Sequence, residues 1–224
     1  MSSRVLFVGG CIHTFHLLEP AIPHVIHAME AIGAETQVTG IFHQDGGSDY
    51  TGDYSALNAE TLKEFDAVTL FTTGKAMGAD IDALLTFVRG GGALIGIHCA
   101  ADSFTDNAEY IAAIGGKFRT HPAPLEVEVE FTDTEHPITQ GLKPFTVLDE
   151  LYLYNDYHPE RVHLLAQTRS YDGEGTDPIP VCWTRTEGEG RVFYLSLGHF
   201  PEAMASEGWQ ALFQRGVRWA LREI

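Results

Sequence analysis

Short apolar runs alternate with segments of helical period through the first half of the chain, and this alternation constrains the fold most. Residues 4–8, Ala67–Thr72 and 93–98 are apolar runs that indicate buried parallel strands. The segments between them repeat apolar residues every three or four positions, beginning at Leu18 in the first helix, although Pro20 and Pro23 move the secure part of that helix downstream. Strands and helices that alternate in this way form βαβ units, so we expect an α/β, flavodoxin-like parallel sheet flanked by helices.

The pattern changes in the C-terminal half. Residues 125–131 alternate apolar side chains with glutamates, which is typical of a strand with one solvated face. Residues 179–183 and 191–197 flank a Gly-containing turn and predict a β-hairpin. Residues 207–223 carry one apolar helical stripe, with Ser206 in front of it as an N-cap. We therefore expect additional antiparallel strands in this half, followed by a final helix.

Composition narrows the class of protein. The 224 residues contain no linker-like or repeated tract, so we expect a single domain over residues 1–224. Acidic side chains outnumber basic ones by 31 to 14, and the net charge of −17 argues against nucleic-acid and membrane partners. Three widely spaced cysteines and the lack of an apolar leader or span predict a cytoplasmic protein.

The first strand is followed by two glycines but not by a nicotinamide-binding motif. Gly9-Gly10 lacks the G-x-G-x-x-G spacing with which a backbone turn holds a dinucleotide pyrophosphate. We therefore expect no nicotinamide site, and any redox step would belong to a partner protein.

Histidines follow three of the predicted strands. His13 comes after the first strand, His98 ends the run at 93–98, and His199 follows the second strand of the hairpin. Ligands of open α/β sheets bind at the carboxyl ends of the strands, so we expect these three side chains to converge on one pocket.

Motifs along almost the whole chain resemble, in the same order, those of the ThuA-like (trehalose utilisation) family. They are GIHCAADSF at 96–104, GGKF at 115–118, HP at 121–122, HPI at 136–138, DELY at 149–152, PVCWTR at 180–185, GEGRVFY at 188–194 and GHFPEA at 198–203. The resemblance implies a flavodoxin-like fold related to class I glutamine amidotransferases. It also implies a role beside sugar oxidoreductases in disaccharide use, on 3-keto sugars.

The relationship to amidotransferases can be tested against the residues. Those enzymes hold a cysteine at the centre of a Gly-x-Cys-x-Gly elbow between a strand and a helix, which exposes the nucleophile. In this chain Gly96 places His98 at the centre, and Cys99 follows one residue later. A shift of one residue turns a side chain away, so we expect His98 to face the cleft and Cys99 to be a buried packing residue.

The candidate site residues support two kinds of chemistry. Acid–base catalysis needs a histidine oriented by a carboxylate, and metal-assisted catalysis needs about three histidine or carboxylate ligands around a divalent ion such as zinc. The catalytic candidates are His98, His199, Asp102 and Glu150, the substrate-binding candidates are His13, His121 and Tyr152, and the metal-ligand candidates are His13, His98 and His199.

Three hypotheses for the function remain open at this level. The first is an enzyme that acts on a keto-disaccharide or a related sugar. The second is a non-catalytic carbohydrate-binding partner of a sugar dehydrogenase. The third is an amidotransferase-like hydrolase that uses Cys99. The sequence also leaves open whether the chain forms a homo-oligomer and which metal, if any, it binds.

Overall fold

The computed structural model describes residues 2–10, 15–43, 50–75, 77–169 and 177–224. The strands are β1 (Arg4–Gly10), β2 (Glu35–His43), β3 (Tyr50–Gly52), β4 (Ala67–Thr72), β5 (Ala93–Ile97), β6 (Lys117–Thr120), β7 (Leu125–Phe131), β8 (Phe145–Asp149), β9 (Leu153–Asn155), β10 (His163–Thr168), β11 (Ile179–Glu187) and β12 (Gly190–Leu195). The α-helices are α1 (Leu18–Ala31), α2 (Ala59–Leu62), α3 (Ile81–Arg89), α4 (Ala108–Ile114), α5 (Pro201–Met204) and α6 (Glu207–Ala220). Short 3₁₀ helices cover His98–Asp102 and Pro159–Arg161.

The described strands form one large sheet with a parallel half and an antiparallel half. Its order is β3, β2, β1, β4, β5, β12, β11, β10, β7 and β8, while β6 and β9 pair separately. Strands β2, β1, β4, β5 and β12 run parallel to their neighbours in this group. From β12 to β8 every pairing is antiparallel. The predicted flavodoxin-like fold with additional antiparallel strands is confirmed.

The sheet separates two apolar cores, because successive side chains of a strand point to opposite faces. In β1, Val5 and Phe7 belong to the core that α1 and α6 cover, with Trp209 of α6 fully buried in it. Leu6 belongs to the core on the other face, where α3 contributes Leu84. The continuous apolar runs of the central strands follow from this burial on both faces.

Helix α1 accommodates two prolines. It starts at Leu18 and contains both Pro20 and Pro23. Pro20 lies in the first turn, where backbone N–H groups have no partner within the helix, so proline is tolerated there. Pro23 removes one backbone hydrogen bond. Burial of Val25 and Met29 against the sheet offsets this loss, and the helix begins at Leu18, the first apolar residue of the helical pattern.

The C-terminal helix has the predicted N-cap. The Ser206 hydroxyl accepts a hydrogen bond from the backbone N–H of Trp209 at 3.2 Å. This bond satisfies one of the unpaired donors of the first turn of α6. Within the described ranges, none of the helices combines the length and the apolar character needed to cross a bilayer.

Replacement of the cap tests how far α6 depends on it. We expect Ser206→Ala to lower the free energy of unfolding by about 1 kcal/mol, because the Trp209 N–H loses its acceptor. Ser206→Asp, which keeps an acceptor at the same position, should stay close to wild type. Urea denaturation of both variants measures the difference, and equal loss in both would show that the cap contributes nothing.

Candidate functional site

Three histidines and one glutamate from separate parts of the chain meet at the carboxyl edge of the parallel strands. His16 follows β1, His98 follows β5, Glu150 follows β8 and His199 follows β12. Each side chain offers one potential ligand atom, and these atoms all lie within 4.8 Å of one another. We call these four residues the histidine–glutamate cluster. The structure therefore brings His98 and His199 together, with ring centroids 5.4 Å apart.

His98 occupies the predicted elbow. Its backbone φ is +43°, a conformation that non-glycine residues rarely adopt and that is typical of a strained strand-to-helix turn. Gly96 before it allows close packing against β5, because a Cβ atom there would lie 2.6 Å from Ile114 Cδ1 and 2.8 Å from Tyr194 Cδ2. The expectation that His98 is exposed to the cleft is wrong, since the residue is fully buried. The Tyr152 ring, 4.0 Å away between centroids, packs against it.

The hydrogen bonding of His98 fixes which ring nitrogen faces the cluster. His98 Nδ1 lies 2.6 Å from the carbonyl oxygen of Ser196, and because a carbonyl only accepts, Nδ1 donates its proton there. His98 Nε2 points at Glu150 Oε2, 3.3 Å away, but the two atoms form no hydrogen bond. A buried Nε2 whose opposite nitrogen is held by a carbonyl is the arrangement of a metal-binding histidine.

Glu150 is the only carboxylate in the cluster and contacts three histidines. Its Oε2 lies 3.3 Å from His98 Nε2 and 3.1 Å from His199 Nδ1, and its Oε1 lies 3.5 Å from His121 Nε2. Burial by itself would raise the pKa of Glu150, but the neighbouring His199 and His98 side chains outweigh it and hold the pKa well below its usual value. Glu150 is therefore ionised at neutral pH.

His16 is a member of the cluster that sequence reasoning did not select. Its Nε2 lies 3.2 Å from His199 Nδ1 and 3.4 Å from the Tyr152 hydroxyl. Burial, and then the neighbouring His98 and His199, lower the pKa of His16 to about 2. The imidazole is thus neutral and offers a lone pair. The only sequence signal was a second histidine three residues after His13, which is weak because many histidines are spaced in this way.

Asp149 holds the two chain segments that carry Glu150 and His199. It is fully buried. Its carboxylate accepts hydrogen bonds from the backbone N–H groups of Glu150 at 3.0 Å, Gly198 at 2.6 Å and His199 at 3.0 Å. Burial raises the pKa of Asp149. Gly198 adopts φ +132°, which favours glycine and turns two consecutive N–H groups toward the same carboxylate.

Three further predicted residues, His121, Tyr152 and Asp102, lie around the cluster. His121 is at its rim, with its side chain about one-third exposed, and its Nδ1 lies 2.8 Å from the Pro122 carbonyl oxygen. Tyr152 is almost completely buried. Asp102 interacts through its charge with Lys117 and His98, and burial raises its pKa. His13 lies outside the described residues. The roles given to these side chains stay predictions.

Cys99 lies beside the cluster but faces away from it. The residue is fully buried in the 3₁₀ helix and belongs to the apolar core under α1 and α6. A nucleophilic thiol has to be partly exposed and stabilised as thiolate. The position therefore agrees with a packing residue and disfavours a cysteine hydrolase.

The donor set of the cluster fits a divalent cation. Three imidazoles and one carboxylate are the ligands that zinc prefers in proteins. The buried His98 Nε2 has no hydrogen-bond partner, and a cation at the centre would accept its lone pair. When neither a cation nor an additional proton lies between them, the Nε2 lone pair of His98 faces the carboxylate of Glu150.

Comparison with known proteins gives one family and several related structures. The family model named ThuA, described as trehalose utilisation, matches residues 4–220. A search of curated protein sequences finds no match.

Two similar solved structures are described as ThuA-like. The one from Parabacteroides merdae is 19% identical over 100% of this chain and 91% of its own, with a TM-score of 0.77. The one from Bacteroides uniformis is 21% identical over 98% of this chain and 91% of its own, with a TM-score of 0.74. A GMP synthase component from Thermoplasma acidophilum is 13% identical over 100% of this chain and 96% of its own, with a TM-score of 0.56. At these identities the structures establish the fold.

The buried His16 makes stability depend on pH. Between the folded pKa of about 2 and the unfolded value of 6.5, only the unfolded chain takes up a proton at His16, so falling pH favours unfolding. In metal-free protein with EDTA, we expect His16→Gln to remove a slope of about 1.4 kcal/mol per pH unit between pH 6 and pH 5. Urea denaturation at several pH values measures it. The exposed His27→Gln is the control and should keep the slope. A slope that is unchanged in His16→Gln contradicts the burial of a neutral imidazole.

The anchoring by Asp149 can be tested with an isosteric change. Asp149→Asn puts an amide donor where a backbone N–H now finds an acceptor, so we expect a loss of about 1–3 kcal/mol in the free energy of unfolding. The imidazole NMR signals of His199 should shift as well. Asp80→Asn is the matched control, because the exposed Asp80 also accepts a backbone N–H and asparagine caps a helix equally well. Equal effects of the two changes would refute the anchoring role.

Proposed function

The chain belongs to the ThuA trehalose-utilisation family, and from this premise we propose that it acts on a keto-disaccharide or a related keto sugar. The proposed chemistry is histidine–carboxylate acid–base catalysis at a site that also binds a divalent metal such as zinc. The observation that carries the proposal is the histidine–glutamate cluster, whose ligand atoms lie within 4.8 Å of one another in a buried position. Apolar packing alone would not require three imidazoles and a carboxylate there.

The cluster provides the ligands for the metal. His16 is neutral, His98 directs Nε2 inward through its hydrogen bond to Ser196, and Glu150 is ionised. His199 completes the set, and the Asp149 carboxylate fixes its backbone. A bound divalent ion would act as a Lewis acid toward the carbonyl or hydroxyl oxygen of a sugar.

His121 and Glu150 form the acid–base pair of the proposal. His121 donates Nδ1–H to the Pro122 carbonyl, which leaves Nε2 free to face Glu150 Oε1 at 3.5 Å. Its partial exposure lets a substrate approach this nitrogen. In a keto sugar, His121 Nε2 would take the proton from the carbon next to the carbonyl. The C–H electron pair would then form a C=C bond to the carbonyl carbon, and the π electrons of the carbonyl would move to its oxygen. Isomerisation and cleavage of a keto sugar both begin with this proton removal.

The non-catalytic alternative predicts different behaviour. A carbohydrate-binding partner of a sugar dehydrogenase would bind the keto sugar but would not exchange its protons with solvent. Proton exchange therefore distinguishes the catalytic hypothesis from the non-catalytic one, whereas binding does not.

Deuterium exchange into 3-keto-trehalose tests the proposal. We expect the zinc-loaded protein to exchange the C–H protons next to the carbonyl in D₂O, followed by proton NMR. His121→Ala should slow exchange about 100-fold or more, because it removes the base. His199→Ala should lower bound zinc, measured by elemental analysis after dialysis, together with exchange.

Cys99→Ala is the matched control for these variants. It should keep zinc and exchange, and should lose only about 1 kcal/mol of stability from the small void. Binding of 3-keto-trehalose without exchange would favour the non-catalytic partner. Full activity in His98→Ala combined with none in Cys99→Ala would favour the amidotransferase-like hydrolase.

A further inference from the structure

An apolar cavity opens directly beside the histidine–glutamate cluster. It has a volume of about 220 Å³, and its walls include Phe15, Leu17, Phe71, Phe200 and Met204. His199 lies in both the cluster and the cavity wall. Among the described residues that line the cavity, His199 is the only one with a polar side chain.

We propose that this cavity is a subsite for an apolar, planar aglycone, so that the substrate is a keto-glycoside of an aromatic alcohol rather than a disaccharide. The inference rests on the proposed function, because the sugar would lie over the cluster and its substituent in the cavity. We call the cavity the aglycone subsite. Three of its features support this assignment, namely its continuity with the cluster, its polarity and its size.

The subsite is continuous with the cluster. The Phe200 ring meets the His199 ring edge to face, with centroids 4.6 Å apart. Phe71, which also lines the subsite, meets the His16 ring edge to face with centroids 6.1 Å apart. A group bonded to a sugar carbon over the cluster therefore reaches the subsite without a spacer.

The polarity of the walls selects against a second sugar. A sugar ring carries several hydroxyl groups, and each loses hydrogen bonds with water on burial unless the protein supplies partners, at a cost of about 1–3 kcal/mol per group. Apart from backbone groups, the described walls offer the imidazole of His199 and otherwise apolar side chains, which supply few partners for buried hydroxyl groups. An aromatic ring has no such requirement, and it gains from edge and face contacts with phenylalanine rings.

The size of the subsite fits one ring. An apolar cavity of about 150 Å³ holds benzene, whereas pockets for drug-sized molecules span about 300–1,000 Å³. At about 220 Å³ the subsite lies between these limits and suits a phenyl-type group. Phe15 stands at the rim with 68% of its surface exposed, so a bound ring would cover it.

Binding and exchange measurements together test the subsite. Fluorine NMR with 4-fluorophenyl glucoside measures binding without any reaction, and we expect Phe15→Ala to weaken it about tenfold. Deuterium exchange in the 3-keto forms of phenyl glucoside and methyl glucoside, each as both anomers, measures selectivity. We expect kcat/KM to favour the phenyl compound about tenfold in wild type, and Phe15→Ala to bring this ratio toward one.

Leu148→Ala is the matched control. Leu148 is a large apolar side chain on β8 that is 58% exposed and does not line the subsite, so binding and the ratio should not change. Circular dichroism confirms that both variants fold, as truncation of exposed side chains should allow.

The outcomes separate the two proposals. Binding of 4-fluorophenyl glucoside that depends on Phe15, without exchange in any keto-glycoside, supports the subsite and contradicts the proposed reaction. Exchange that is equal for phenyl and methyl glucosides, or that is fastest for 3-keto-trehalose, supports the reaction and overturns the subsite. If Phe15→Ala and Leu148→Ala weaken binding equally, the subsite proposal is also overturned.

Discussion

The Asp149 carboxylate connects the two halves of the sheet at the place where the candidate site is built. Asp149 ends β8, at the antiparallel end of the sheet, and accepts N–H groups from Gly198 and His199, which follow the parallel strand β12. A buried N–H without a partner costs about 1–3 kcal/mol, so these bonds strongly favour one arrangement of the two segments. Glu150 is the next residue, and its position relative to His199 is set by the same carboxylate. The geometry of the cluster thus depends on a residue that is not itself a member.

Burial and neighbouring charges together decide the ionisation of the residues in the cluster. Burial disfavours protonated imidazoles, and at His16 this effect lowers the pKa to about 2. Glu150 remains ionised because His199 and His98 stabilise its charge more than burial opposes it. The negative charge of Glu150 among three imidazoles favours a positive charge at the centre of the cluster. Either shared protons or a bound cation would provide it.

Sequence patterns predicted the fold and the location of the site better than they predicted which residues form it. Apolar runs reveal strands buried on both faces, and the carboxyl ends of parallel strands share an edge, so His98 and His199 could be placed together. His16 and Asp149 could not be recognised in the same way. The path of the chain after β1 decides which histidine reaches the cluster, and the three N–H partners of Asp149 come from residues 1 to 50 positions away. Burial of His98 likewise depends on Tyr152, which comes from a distant segment.

The elbow shows how one backbone can carry different chemistry. Proteins with the fold of class I glutamine amidotransferases resemble this chain at 13% identity, a level at which only the backbone is comparable. In this chain the strained position holds His98, whose Nδ1 is fixed by Ser196, and the neighbouring thiol of Cys99 is buried in the core. An imidazole held in this way cannot act as a thiolate would, but its Nε2 is well placed to bind a cation or to share a proton with Glu150. The turn that exposes a nucleophile in amidotransferases directs His98 Nε2 toward Glu150 in this chain.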